Sequence, residues 1–114
     1  MIKVSIFLTR RPDLTHEEFV AYWSEKHTPL LANLPPGALR VHRYVQLLPT
    51  DGEISGFATA TSDGVAELWV DSVADAAAWF TSDTYNTDIA SDEMNFLDRS
   101  ATRFLYSTET VVFG

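Results

Sequence analysis

One histidine is the residue in this sequence best placed to do chemistry. His27 follows Trp23 by four residues and Phe19 by eight, so it lies on the apolar stripe of a predicted helix. Its imidazole can titrate near neutral pH, and the dipole at the C-terminal end of a helix favours the protonated ring. Two interpretations stay open: His27 acts as an acid or base, or it caps the last carbonyl groups of the helix.

The other two histidines are weaker candidates. His16 precedes His27 by eleven residues, which is close to three helical turns or roughly 16 Å, so the two cannot share a metal ion. The second histidine of the zinc-peptidase motif is missing after His16, and we expect no metal site. His42 projects from a predicted strand beside Tyr44, where it either faces a cavity or forms part of a dimer interface or sheet edge.

Composition excludes several classes of site. The 114 residues include no cysteine, which rules out disulfides, thiol nucleophiles and cysteine-ligated metal centres. The sequence contains neither a glycine-rich phosphate loop nor the Gly-x-Ser-x-Gly elbow. We therefore expect neither nucleotide-dependent chemistry nor hydrolysis by a serine nucleophile. A formal charge of −8 disfavours contact with nucleic acid or anionic lipid, and no apolar run approaches a membrane span. We therefore expect one cytoplasmic domain over residues 1–114, without nucleic-acid partner, membrane anchor or cofactor.

The elements that must position His27 alternate between strand and helix patterns. Thr15 and Glu18 form a capping box that starts a helix at His16, and prolines end it near residues 27–33. Ser72 signals a second main helix. Period-2 alternation predicts strands over residues 2–8, 39–47, 64–71 and 101–108, and a short helix falls around 92–97. The order β-α-β-β-α-β predicts an α+β, ferredoxin-like fold, in which two main helices cover one face of a four-stranded antiparallel sheet.

The other face of that sheet is expected to need a partner. Phe7, His42, Tyr44 and Trp69 are assigned to it, a set too apolar to leave in water. A second copy of the chain, meeting it sheet to sheet around a two-fold axis, would cover it. We therefore expect a homodimer that forms a shared barrel.

Large aromatic side chains near His27 either line a pocket for a small hydrophobic ligand or pack in the core. Tyr22 and Trp23 come from the first helix, and Tyr44 and Trp69 from two strands. The candidate substrate-binding residues are Phe7, Tyr22, Trp23, His42, Tyr44 and Trp69.

Three ordered segments resemble EthD-domain proteins. They are residues 10–30, with the tyrosine–tryptophan pair and His-Thr-Pro-Leu; residues 66–72; and residues 92–98. The resemblance covers nearly the whole chain and implies the dimeric α+β barrel superfamily. The helix-end histidine of the family maps onto His27, which the resemblance implies as an acid or base. Isomerases of the superfamily that use a cysteine beside the histidine cannot serve as a template, because this chain has no cysteine.

Three functions are compatible with these residues. The first is a cofactor-independent enzyme acting on a small aromatic, polyketide-like or lactone compound, with His27 moving a proton and Tyr44 or His42 polarising an oxygen. Its reaction would be that of a lyase, isomerase, cyclase or cofactor-free monooxygenase. The second is a haem protein with His27 or His42 as the iron ligand. The third is a non-catalytic dimeric binding module, accessory to a degradation pathway.

Overall fold

A four-stranded antiparallel sheet forms one layer of the molecule. The computed structural model describes residues 1–114 throughout. The strands are β1 (Ile2–Leu8), β2 (Arg43–Leu47), β3 (Gly64–Val70) and β4 (Arg103–Ser107). They lie in the spatial order β2-β3-β1-β4.

Two helical segments form the second layer. The first runs through α1 (His16–Tyr22), a π-helical turn (Trp23–His27) and α2 (Thr28–Ala32). The second contains α3 (Val73–Phe80), a π-helical turn (Tyr85–Ile89) and α4 (Ala90–Glu93). The element order is the predicted β-α-β-β-α-β, which is that of the ferredoxin-like arrangement. None of the helices has the length and apolar character needed to cross a bilayer.

The first helix begins where the capping box places it. The Thr15 side chain accepts from the Glu18 amide, and the Glu18 carboxylate accepts from the Thr15 amide at 3.0 Å. Pro29 does not end the helical path, because it lies in the first turn of α2, where the missing N–H has little effect on the stability of the helix. His27 therefore lies inside a continuous helical path that ends at Ala32. Because His27 is not in the last turn of this path, the expectation that the dipole at a helix C-terminus favours its protonated ring is wrong.

Strand β2 is shorter than predicted, beginning at Arg43 instead of residue 39. Arg43 pairs with Trp69, and β3 ends one residue later at Val70, so residues before 42 have no strand to pair with. Leu39 and Val41 pack against the core instead.

The core lies between the helices and one face of the sheet. Alternate residues of β1 and β3 point inward, and Phe19, Trp23 and Phe96 fill the space above them. Gly64 permits the Trp23 ring to press on β3, because a Cβ at that position would lie 2.5 Å from Cζ3 of Trp23.

The opposite sheet face carries the expected Phe7 and Trp69 but not Tyr44. Tyr44 pairs with Leu68, a core residue, so its side chain lies on the helix-covered face. The placement of Tyr44 on the uncovered face is therefore wrong by one residue of register. His42 precedes β2 and is half exposed, with its Nε2 2.7 Å from Asp71 Oδ1.

Candidate functional site

An apolar cavity lies between the helices and the covered face of the sheet. Its volume is about 340 Å³, and 19 of the 24 residues that line it are hydrophobic. This size falls at the lower end of the range for small-molecule sites. The polar groups that line it include His27, Tyr44, Tyr85, Glu93 and Arg99.

His27 is held in the cavity wall by a carboxylate on the second helical segment. Its Nδ1 lies 2.9 Å from Asp92 Oδ2, and the Tyr22 hydroxyl donates to the other Asp92 oxygen at 2.6 Å. Asn95 donates to both Asp92 Oδ1 and the Tyr22 oxygen at 3.1 Å. A carboxylate can only accept, so Nδ1 carries the proton in this pairing. The neutral ring then presents Nε2 as a hydrogen-bond acceptor and base.

His27 lines the cavity, and its Nε2 has no hydrogen-bond partner in the protein. Because no fully buried side-chain nitrogen or oxygen lacks a hydrogen bond, Nε2 keeps some exposed surface, although the residue as a whole is only 4% exposed. Phe96 packs against the imidazole with a centroid distance of 4.8 Å, which fixes the ring plane.

The carboxylate behind His27 is held in its charged form. Burial by itself raises the pKa of Asp92, but hydrogen bonds from Tyr22, His27 and Asn95 outweigh it and lower the pKa below its ordinary value. The same hydrogen bond to Asp92 raises the pKa of Tyr22. Asp92 can therefore stabilise an imidazolium that forms when His27 accepts a proton.

A phenol faces the same cavity from the sheet. Gln46 donates to the Tyr44 oxygen at 3.1 Å, and the Tyr44 hydroxyl makes no hydrogen bond to a protein acceptor. Burial raises the pKa of Tyr44, and the nearby negative charge of Glu93 adds to the rise. The Tyr44 hydroxyl therefore stays protonated and can donate to an oxygen atom of a ligand.

A second carboxylate lies beside the first on α4 but points elsewhere. Tyr85 donates to Glu93 Oε1 at 2.6 Å, and Arg99 Nε lies 3.6 Å from the same oxygen. Burial raises the pKa of Tyr85, and the hydrogen bond to Glu93 raises it further. Asp92 and Glu93 thus diverge, as their adjacent positions on a helix predict.

The structure brings together only part of the set of residues singled out in the sequence. His27, Trp23 and Tyr44 line the cavity, and Tyr22 lies behind His27 through its bond to Asp92. Phe7, His42 and Trp69 are not in its wall. Trp69 instead lies under Lys3 and Arg43 on the uncovered face, at 5.1 Å and 4.9 Å from their charged groups.

Four residues of the cavity region escaped the sequence argument: Asp92, Glu93, Tyr85 and Arg99. Asp92 and Glu93 fall in the predicted short helix around residues 92–97, but nothing in their spacing indicates a partner elsewhere in the chain. Each is paired with a residue far along the chain or on another turn, so the only usable signal was the acidic start of a short helix. No group of three or more His, Asp or Glu side chains is arranged to bind a metal ion.

A separate polar network ties the end of β1 to the segment before β3. The buried Asp63 accepts from the Arg10 amide and guanidinium, each at 2.9 Å, and lies 2.9 Å from His16 Nδ1. Burial tends to raise the pKa of Asp63, but these hydrogen bonds lower it below its ordinary value.

Acid is expected to destabilise the protein through Asp63 and Asp92. Both folded-state pKa values lie below the unfolded value of 3.8, so their stabilisation is full above that pH and disappears as pH falls through the folded values. We expect the free energy of unfolding, measured with urea at fixed protein concentration, to decrease as the pH falls from about pH 5 to about pH 2. Asp63→Asn should flatten this decrease, whereas Asp51→Asn at an exposed site should not. An unchanged slope in Asp63→Asn contradicts the assignment.

Comparison with known proteins agrees with the fold. The EthD domain model matches residues 11–100 of the chain. An EthD-family protein from Bacillus halodurans is 15% identical, with a TM-score of 0.67 over 96% of this chain and 99% of that one. An EthD-like protein from Ralstonia eutropha is 23% identical, with a TM-score of 0.65 over 98% and 94% of the two chains.

A third solved structure extends the agreement on the fold. It is a dimeric protein from Bacteroides fragilis with a ferredoxin-like fold, 12% identical, with a TM-score of 0.66 over 93% of each chain. No curated protein matches the sequence. The predicted ferredoxin-like fold is confirmed, and because the domain model covers most of the sequence, this chain belongs to the EthD family.

Proposed function

We propose that this protein is a cofactor-independent enzyme that moves a proton on a small hydrophobic compound bound in the cavity, with His27 as the base. The observation that carries the proposal is that His27 lines a cavity of about 340 Å³ while its Nδ1 is bonded to Asp92, which leaves Nε2 without a protein partner. Aromatic, polyketide-like and lactone compounds fit the apolar lining.

The residues divide the work of a proton transfer. Nε2 of His27 accepts a proton from an acidic C–H or O–H of the substrate, and Asp92 stabilises the resulting imidazolium. The Tyr44 hydroxyl donates to the substrate oxygen on which negative charge develops. The protonated His27 then returns the proton to another position, so the protein ends unchanged.

Deuterium exchange tests the proposal without knowledge of the natural substrate. In D2O, 1,3-dihydroxynaphthalene exchanges the ring hydrogen between its hydroxyl groups through a keto tautomer, and 1-tetralone exchanges its α-hydrogens through an enol. NMR should show exchange above the buffer rate for at least one such probe or for an unsaturated lactone. Binding of these probes without any acceleration contradicts the enzyme and favours a binding module. A Soret shift on adding haemin that disappears in His27→Ala favours a haem protein.

Asp92 is expected to act on the rate through His27. Asp92→Asn keeps the size of the side chain but offers an amide in place of the carboxylate that holds the Nδ1 proton. We expect the exchange rate to fall roughly 10- to 100-fold, as for other outer partners of a histidine, with a changed pH profile. Asp88→Asn, on the preceding turn, is the matched control. Nitrogen-15 shifts of the His27 ring should report a changed tautomer, and unchanged shifts with an unchanged rate contradict the role.

The uncovered sheet face supports a homodimer. Leu47 and Leu105 on this face are 43% and 51% exposed, and Phe7 and Trp69 lie between them. Such a patch marks an interaction surface in soluble proteins. The similar structure from Bacteroides fragilis is that of a dimeric protein.

Light scattering should give a mass twice the 12.7 kDa of one chain. Leu105→Asp places a charge in the proposed interface and should yield monomer at micromolar concentration. Met94→Asp is the control, because Met94 is 68% exposed and lies on the helical side. A monomeric wild-type protein contradicts the dimer.

A further inference from the structure

The cavity presents a second free acceptor besides His27. The Tyr85 hydroxyl donates to Glu93 Oε1 at 2.6 Å, and the same oxygen lies 3.6 Å from Arg99 Nε. Oε2 accepts no hydrogen bond from the protein, and because no fully buried side-chain oxygen lacks one, Oε2 keeps some exposed surface. Glu93 lines the cavity, and its side chain is 14% exposed. Its carboxylate is therefore part of the wall that a bound ligand contacts.

Chemistry limits what Glu93 can recognise. A carboxylate oxygen only accepts hydrogen bonds, so the ligand atom beside it must be a donor. Arg99 is the only lysine or arginine in the cavity wall and already lies against Glu93, which reduces the need for a charged ligand. A ligand carboxylate would meet repulsion from Glu93 in an apolar surrounding. A neutral hydroxyl satisfies Oε2 without adding charge.

His27 sets the same requirement elsewhere in the cavity. Its Nε2 is an acceptor in the neutral ring, as the bond from Nδ1 to Asp92 dictates. The rest of the cavity wall is mainly apolar and aromatic, and it includes Trp23 and Phe96. A matching ligand has an apolar body with a donor at each of two separate positions.

We propose that the cavity selects a neutral aromatic or polyketide-like compound with two separated hydroxyl groups, one bound by His27 and the other by Glu93. Glu93 is the specificity residue of this pair, and it distinguishes a hydroxyl from an ether or a carboxylate. The inference rests on the proposed function only in taking this cavity as the substrate site. It makes no use of proton transfer.

Binding of three matched probes tests the inference. The probes are 2,6-dihydroxynaphthalene, 6-methoxy-2-naphthol and 2,6-dimethoxynaphthalene, measured by calorimetry or equilibrium dialysis. Each methylation removes one donor, so the wild-type protein should bind the diol at least about tenfold tighter than the monoether, and the monoether tighter than the diether. Glu93→Leu, which offers no acceptor, should bind the diol and the monoether within about twofold of each other. Glu17→Gln, on the exposed side of α1, should keep the wild-type order.

The outcomes separate this inference from the proposed function. The inference is overturned if the wild-type protein binds the diol and its ethers with equal affinity. It is also overturned if the diol does not bind at millimolar concentration. Both measurements use the wild-type protein, so neither depends on whether a variant folds. Retention of the diol preference in Glu93→Leu assigns the preference to another residue and also overturns the inference. If the wild-type protein prefers the diol but does not accelerate deuterium exchange, the ligand class is supported and the proposed enzymatic function is rejected.

Discussion

His27→Gln is expected to lower the deuterium-exchange rate of an active probe by at least about 10²-fold, the usual minimum contribution of a positioned general base. Glutamine keeps hydrogen-bonding capacity at this position but has no nitrogen that titrates. The measurement is the NMR exchange rate at saturating probe, because it isolates the transfer step from binding. Retention of the wild-type rate in His27→Gln sinks the proposed mechanism.

Two controls separate a chemical role of His27 from a structural one. His42→Gln changes a half-exposed histidine that is paired with Asp71 outside the cavity, and it should leave the rate within about twofold of wild type. His27→Ala leaves a space in the cavity wall, and added imidazole should restore part of its lost rate. A residue needed only for packing would not respond to imidazole in this way.

Phe96→Ala is expected to cause the largest loss of stability of the changes considered. Phe96 is 1% exposed and lies against Phe19, Tyr22 and His27, with centroid distances of 5.5, 5.2 and 4.8 Å. Truncating a buried phenylalanine to alanine costs about 3–5 kcal/mol, through lost burial and the cavity left behind. A domain of this size has only about 5–15 kcal/mol of stability in total, so a substantial share would be lost.

Urea unfolding at a fixed protomer concentration measures this loss, since a dimer makes stability depend on concentration. Met94→Ala, two residues away, is the matched control because Met94 is 68% exposed. It should change the free energy of unfolding by less than about 0.5 kcal/mol. A loss below about 1 kcal/mol in Phe96→Ala would mean that the ring is not part of the packed core.

Local rules account for the elements that the sequence predicts well. The capping box at Thr15 and Glu18 depends on residues three apart, and alternation along β1 depends on nearest neighbours, so both are visible in the chain. The same local signals also specify the strand and helix order, and hence the ferredoxin-like fold. Strand β2 is shorter than the alternation predicts, because its length depends on where β3 ends. That limit comes from pairing between distant segments of the chain.

The sequence by itself determined the fold class, the absence of cysteine chemistry and the choice of His27, because composition, periodicity and short motifs act over a few residues. Tertiary structure alone decided what surrounds His27. The strand register determines that Tyr44 lines the cavity, and His42 lies outside it. Asp92, 65 positions further along the chain, contacts the imidazole of His27. Such contacts follow from the packing of one helical segment on another, for which no spacing in the sequence gives a sign.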